Sequence, residues 1–115
     1  MQTLIIEVAG EEEALAQAVA AIESNQLQPP RYLFHSDEAL LNTLSADRFA
    51  ILKALCGGNA MGIAELARRV ERDRAEVHAD AERLASIGLI DRTESGELLF
   101  PYAGVHLELD WRTAA

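Results

Sequence analysis

Four arginines lie close together near the middle of this 115-residue chain. Arg68 and Arg69 precede a short break between two helical patterns, and Arg72 and Arg74 follow it. A guanidinium group suits phosphate oxygens because it is planar, permanently charged and offers five N–H donors. The cluster therefore predicts contacts with a nucleic-acid backbone through Arg68 and Arg69, and contacts at the entry of the second helix through Arg72 and Arg74.

The alternative for Arg68 and Arg69 is a surface ion pair with a neighbouring acid, such as Glu65, Glu71 or Asp73. The overall charge of −9 also argues against a generic nucleic-acid binder, for which a basic surface is the usual signal. Most of the excess lies upstream, because residues 1–45 carry seven acids against Arg31, whereas residues 61–100 carry nine acids against six arginines. The local field at the arginines would have to attract the phosphates.

Other chemistry is poorly supported by the residues and their spacing. His35, His78 and His106 stand far apart, and none has a second ligand three or four residues away, so we predict no metal site. No serine lies in a nucleophile-elbow motif, so we predict no catalytic residue and no enzyme. No motif indicates a cofactor.

The segment around the arginines predicts a helix, a tight break, a second helix and a hairpin. Apolar residues at i, i+3, i+4 and i+7 predict the first helix, on Ile63, Leu66, Ala67 and Val70. Asp73 is a good N-cap for the second helix, which should end near Ile87 because Gly88 suits a left-handed C-terminal position. Two short strands around residues 94–96 then predict a hairpin, or wing.

The second helix should present a face to a DNA groove. We expect Ala75, His78 and Ala79 on its exposed side, and Arg92 on the wing beside a phosphate. The same face is expected to carry Asp80 and Glu82, which would repel phosphate and weaken binding.

The N-terminal residues predict a strand and then an amphipathic helix. Leu4, Ile6 and Val8 alternate in an extended run, and a helix over residues 11–24 places Leu15, Val19 and Ile22 in one apolar stripe. A β-α unit of this size leaves that stripe exposed unless something covers it. The strand and the stripe together therefore predict a homodimer interface formed by Leu4, Ile6, Val8, Leu15, Val19 and Ile22.

The prolines at 29 and 30 predict a stiff connector after this unit. We therefore predict a β-α dimerisation extension over residues 1–30 and a winged helix-turn-helix domain over residues 31–115. Its last element is a one-face-buried β-strand with Val105, Leu107, Leu109 and Trp111 on the buried side. The predicted fold class is α+β.

Several of these residues are similar to those of MarR/ArsR-type winged-helix transcriptional regulators. The similarity covers residues 48–52, 63–67 and 88–90, together with Val77, Leu84 and Gly96. A narrower group of small regulators, some of them antitoxin-like, resembles the chain also at residues 4–8, 32–34, Ser36 and 107–109. The resemblance implies a winged-helix fold and binding to double-stranded DNA.

Two functions follow from the residues and the resemblance. The first is a dimeric transcriptional regulator that places two recognition helices in successive major grooves. The alternative is an antitoxin-like interaction module that covers a basic protein partner, such as a toxin, and binds DNA weakly or not at all. A lone cysteine, Cys56, and the lack of a signal peptide or membrane span predict a cytoplasmic protein without membrane contact.

Overall fold

The computed structural model describes residues 1–26 and 28–110. Five helices and five strands follow one another within this part of the chain, which confirms the α+β class. In chain order they are β1 (Thr3–Val8), α1 (Glu11–Ser24), β2 (Arg31–Phe34), α2 (Asp37–Thr43), α3 (Ala46–Leu55), α4 (Ile63–Val70), α5 (Arg74–Ser86), β3 (Asp91–Arg92), β4 (Leu98–Leu99) and β5 (Gly104–Glu108).

The elements form two compact units. The winged-helix unit is Leu44–Gly104, and the sheet unit comprises Gln2–Thr43 and residues 105–110. The sequence predicts a boundary after residue 30, yet β2, α2 and most of β5 lie in the same unit as β1 and α1. The reason is strand pairing between segments distant in sequence, which local patterns do not reveal.

In the sheet unit, β1 is the central strand of the order β2-β1-β5. It pairs in parallel with β2, and Ile6 lies opposite Tyr32 in the register. Parallel neighbours need a crossover, and α1 supplies it, so the N-terminal segment is a β-α-β unit. Both edges of β1 are therefore occupied within one chain.

Helix α1 lies beside the face of the sheet that carries the odd-numbered residues of β1 and β2. Ala14, Ala18 and Ala21 line a groove with Arg31 and Leu33 of β2. On this face Arg31 Nη1 donates to Glu7 Oε1 at 2.8 Å, and Glu7 is only 7% exposed. A buried carboxylate needs such a partner, so the pair links the two parallel strands.

The winged-helix unit is built on α3, α4 and α5. Their fully buried residues supply its core, with Leu52 from α3, Leu66 from α4 and Leu84 from α5. Ser45 caps α3 by accepting from the Arg48 N–H at 3.3 Å. The predicted end of α5 is confirmed, because the helix stops at Ser86 and Gly88 takes a φ of 78°.

The predicted wing is an antiparallel hairpin of β3 and β4. Gly96 has a φ of 87° in its turn, where the Thr93 N–H donates to the Glu97 carbonyl at 2.8 Å. Met61 forms a further antiparallel bridge with Leu98, and the two residues exchange both backbone hydrogen bonds. This bridge ties the wing to the segment that precedes α4.

The expected one-face-buried strand near the C-terminus differs in part from β5. Leu107 is 39% exposed and the strand ends at Glu108, because alternation sets which side a residue faces but not whether that side is covered. Leu109 follows the strand, half-buried. The expected burial of Trp111 lies outside the described residues.

Candidate nucleic-acid interface

A three-residue turn joins α4 to α5. Glu71 ends α4 in the left-handed conformation with a φ of 56°. Asp73 then begins α5, and its Oδ2 accepts from the Ala75 N–H at 3.0 Å and from the Glu76 N–H at 3.4 Å. The predicted N-cap is confirmed. The turn therefore brings arginines from both helices to one place.

Two of the predicted arginines lie at this turn with their charge available. Arg68 from α4 and Arg74 from α5 line one concavity of about 700 Å³, together with Glu71, Arg72 and Asp73 of the turn. Arg68 and Arg74 are exposed, and neither forms an ion pair with any residue that the structure describes. Two unpaired guanidinium groups on one concave surface suit the oxygens of a phosphate.

Arg72 takes a different role from the predicted one. Its side chain is only 18% exposed, and its Nη1 lies 2.9 Å from Asp80 Oδ2 on α5. Arg48 of α3 donates from Nε to the other oxygen of the same carboxylate at 3.0 Å. We call Arg48, Arg72 and Asp80 the Asp80 clamp; it joins α3, the turn and α5.

The charges of the clamp stabilise one another. Burial alone would raise the pKa of Asp80, but the hydrogen bond from Arg48 and the contact with Arg72 outweigh it and lower that pKa. The contact with Asp80 raises the pKa of Arg72 against the effect of burial, with help from Asp47 and Glu76. The clamp is therefore a set of ionised groups that holds the turn against the helices.

These contacts correct two expectations from the sequence. Arg72 was expected to meet DNA, but its guanidinium is engaged inside the clamp. Asp80 was expected on the outer face of α5, but its side chain is 17% exposed and bound by two arginines. Asp80 thus adds no free negative charge to the face that would meet phosphate.

The outer face of α5 carries the other predicted residues. Ala75, His78 and Ala79 are exposed, opposite the buried Val77 and Ala81. With Arg74 they form the recognition face (Arg74, Ala75, His78 and Ala79). Its residues follow one another at i, i+1, i+4 and i+5, and so lie on one side of the helix.

The acid next to this face is also paired. Glu82 forms an ion pair with Arg92 of β3, and His78 Nε2 lies 3.5 Å from the same Glu82 oxygen. The sequence predicts that Arg92 contacts DNA from the wing. In the structure its guanidinium pairs with Glu82, which neutralises that carboxylate and links the wing to α5. The expected repulsion by Glu82 is therefore reduced.

Arg69 forms a surface ion pair, which is the alternative role that the sequence left open for it. Its Nη2 donates to Glu65 Oε1 at 3.2 Å, one turn earlier on α4, and both side chains are about half exposed. Such an exposed pair is weak and breaks readily. A backbone contact by Arg69 stays a prediction, and Arg68 is better placed for it.

The predicted dimer residues separate into two groups. Leu4 is 3% exposed and Ile6 is not exposed at all, in a strand with both edges paired. Val8 is half-buried, and all three face away from the side of the sheet that α1 borders. These strand residues do not offer a surface to a second chain, which corrects that part of the prediction.

The helix residues of the same prediction are exposed. Leu15 is 67%, Val19 44% and Ile22 79% exposed, and no residue of α1 is fully buried. Helix α1 approaches the sheet through its alanines instead. The apolar stripe (Leu15, Val19 and Ile22) is therefore an uncovered surface of the chain.

Sequence reasoning missed the Asp80 clamp, although a signal was present. Val77, Ala81 and Leu84 mark the buried face of α5, and Asp80 follows Val77 at i+3, as a core-facing residue would. A carboxylate at such a place requires a cation, and Arg48 and Arg72 were the nearby candidates. The Glu7–Arg31 pair was missed because it joins strands whose pairing is not local.

Membrane-spanning helices and metal-binding clusters are both absent from the described residues. None of the helices in residues 1–26 and 28–110 combines the length and apolar character that crossing a membrane requires. The same residues hold no group of three or more histidine, cysteine or acidic side chains placed to bind a metal ion.

Comparison with known families gives a match over the winged-helix unit. Residues 43–107, more than half of the chain, match the HVO_A0114 family. The chain belongs to this family. The matched region of this HVO_A0114 protein contains the Asp80 clamp, the recognition face and the wing.

Comparison with individual proteins adds one structure. The HVO_A0114 chain is similar, at 21% sequence identity and a TM-score of 0.48, to the crystal structure of the MarR family transcriptional regulator SPO1453 from Silicibacter pomeroyi DSS-3. The similarity covers 79% of this chain and 62% of that chain, so it spans less than two thirds of the regulator's length. A search of curated proteins found no match for the HVO_A0114 chain.

Proposed function

We propose that this HVO_A0114 protein is a DNA-binding transcriptional regulator that contacts duplex DNA with its winged-helix unit. The observation that carries the proposal is the concavity at the α4–α5 turn, where Arg68 and Arg74 are exposed and unpaired among the described residues. A helix-turn-helix meets DNA at this place.

We propose a separate role in DNA binding for each of these residues. Arg68 binds the phosphate backbone beside α4, while Arg74 enters the major groove at the N-terminal end of α5. Ala75 and Ala79 are small enough to approach a thymine methyl group, and His78 can reach a base edge or a phosphate. Arg92 holds the wing against α5 through Glu82, and we expect it to lie beside the DNA backbone when the protein is bound.

We propose two chains on each operator, because a single recognition helix reads about one half-site and natural operators repeat it. We place the contact between the chains away from Leu4 and Ile6 of β1, because both side chains are buried within one chain. Light scattering of the protein on duplexes with one and two half-sites measures the stoichiometry.

The salt dependence of binding tests the phosphate contact. We expect the affinity for DNA flanking the protein's own gene to fall steeply with salt, because bound arginines release counterions. Arg68→Ala should weaken binding to all sequences alike and flatten the slope of log K against log salt by about 1. Gel shifts at several salt concentrations measure this, with Lys53→Ala on α3 as a charge-matched control. An Arg68→Ala slope equal to that of wild type would contradict the phosphate contact.

One observation favours the second candidate, a protein-interaction module. Among the described residues, the exposed large hydrophobic side chains lie in the sheet unit, Met1 excepted. They are Leu15, Val19, Ile22, Leu33, Leu41 and Leu107. The winged-helix unit and the sheet unit thus have different surfaces, and the two activities are compatible in one chain.

A further inference from the structure

The apolar stripe on α1 has the dimensions of a docking site for one helix. Leu15, Val19 and Ile22 follow one another at i, i+4 and i+7 along a helix of 14 residues, which is about 21 Å long. Ala18, between them on the same side, also lines the groove of about 500 Å³ between α1 and β2. Stripe and groove are therefore one continuous surface, and an uncovered apolar surface of this kind marks an interaction site.

Charge identifies the chemistry of the partner. Helix α1 contains four glutamates and no basic residue, and all four glutamates are exposed. Glu11 and Glu12 each lie about one turn before Leu15 and about two turns before Val19. Glu23 lies about one turn after Val19. Acids thus stand at both ends of the apolar stripe.

The charge of the whole sheet unit points the same way. Residues 2–43 and 105–115 contain nine acids and two basic residues, whereas residues 44–104 contain ten acids and eight basic residues. The acidity of the chain is therefore concentrated in the unit that carries the stripe. A cationic partner gains from this field, and its association is steered by it.

The same charges disfavour a second copy on the stripe. Two α1 helices related by a two-fold axis bring acids together in either orientation: the first-turn glutamates of the two copies face each other if the helices are parallel, and face the Glu23 end of the other copy if they are antiparallel. No lysine or arginine of α1 is available to offset this repulsion. The homodimer that the sequence predicted for this stripe is therefore the less favourable occupant.

We propose that the apolar stripe and its groove bind a basic amphipathic helix of another protein. Apolar side chains of that helix cover Leu15, Val19 and Ile22, and its lysines or arginines pair with Glu11, Glu12 and Glu23. The proposal goes beyond DNA binding and does not depend on it, because every residue involved lies in the sheet unit.

A labelled synthetic peptide tests the proposal on the full chain. The probe is an amphipathic helix of about two heptads with a leucine face and a lysine face, and its matched control carries glutamate in place of lysine. Fluorescence anisotropy should show binding of the lysine peptide that weakens with salt, and no binding of the glutamate peptide. Equal binding of the two peptides would overturn the role assigned to charge.

Variants locate the site. Leu15→Ser with Ile22→Ser, and separately Glu12→Gln with Glu23→Gln, should each weaken the lysine peptide at least about tenfold, since both sets lie within the contact. Leu41→Ser, a 53% exposed leucine on α2, is the control and should leave binding unchanged. Peptide binding that survives the Leu15→Ser, Ile22→Ser change would overturn the proposal.

Sedimentation of the protein without peptide tests whether a second copy of the chain occupies the stripe instead. We expect the wild type and the Leu15→Ser, Ile22→Ser variant to have the same oligomeric state, because the stripe does not join two copies of the chain. A wild-type dimer that this variant converts to a monomer would overturn the proposal, because a second copy would then cover the stripe. The variant should bind duplex DNA like the wild type, so failure here is distinguishable from failure of the proposed function.

Discussion

Replacing Asp80 by alanine is expected to lower the free energy of unfolding by about 2 kcal/mol, because two partly buried arginines lose their shared partner. Arg48 and Arg72 are 23% and 18% exposed in their side chains, so water compensates only part of that loss. Urea unfolding followed by circular dichroism measures the change. Glu65→Ala breaks the exposed pair with Arg69 and should cost less than about 0.5 kcal/mol.

The pH dependence of stability distinguishes a charged clamp from simple packing. The pKa of Asp80 is lower in the folded chain than its ordinary value, so the clamp contributes fully above about pH 4. Its contribution is lost as the pH falls from there through the folded-state pKa of Asp80. The stability difference between wild type and Asp80→Asn should therefore shrink in acid. A difference that stays constant at low pH would show that the carboxylate charge does not hold the clamp.

Replacing Arg74 by alanine is expected to cost about 1–3 kcal/mol of DNA binding and to change sequence preference. Arg74 lies at the start of α5, whose N-terminal residues a helix-turn-helix directs toward base edges, and no ion pair in the described part of the chain holds its guanidinium elsewhere. Competition gel shifts with mutated and native duplexes measure both effects.

Arg69→Ala is the matched control for Arg74, since Arg69 is also an exposed arginine beside the turn but is already paired with Glu65. It should weaken binding less and leave sequence preference unchanged. If Arg74→Ala and Arg69→Ala had equal effects on every sequence, the N-terminal end of α5 would not read bases. Circular dichroism of both variants establishes that the fold is retained.

The winged-helix unit could be predicted because its signals are local. Asp73 and Gly88 mark the two ends of α5 by chemistry that acts within a few residues, and the apolar periodicity of α4 needs no distant partner. The position of the arginines beside the turn followed from the same signals. The separate roles of the arginines could not be predicted from these signals, because Asp80 lies on the edge of the buried face of α5 and binds Arg72.

The sheet unit could be predicted only in its elements. Alternation predicts the strand with Leu4 and Ile6, and periodicity predicts the helix with Leu15, but the sequence also predicts that both belong to one dimer surface. In the fold these residues belong to different surfaces, because Leu4 and Ile6 are buried on one face of the sheet while Leu15 lies exposed on α1. Pairing between distant segments sets burial here, and one sequence contains no local signal for it.

Titration of isotope-labelled protein with a duplex from its own upstream region tests the DNA-binding claim most directly, with amide chemical shifts as the readout. Phosphate contacts form on any duplex at low salt, so the experiment does not require the operator to be known. We expect the largest shifts at Arg68, Arg74, Ala75, His78 and Ala79. Absence of shifts at low salt, or shifts confined to α1 and the sheet unit, would contradict the claim that the winged-helix unit is the DNA reader.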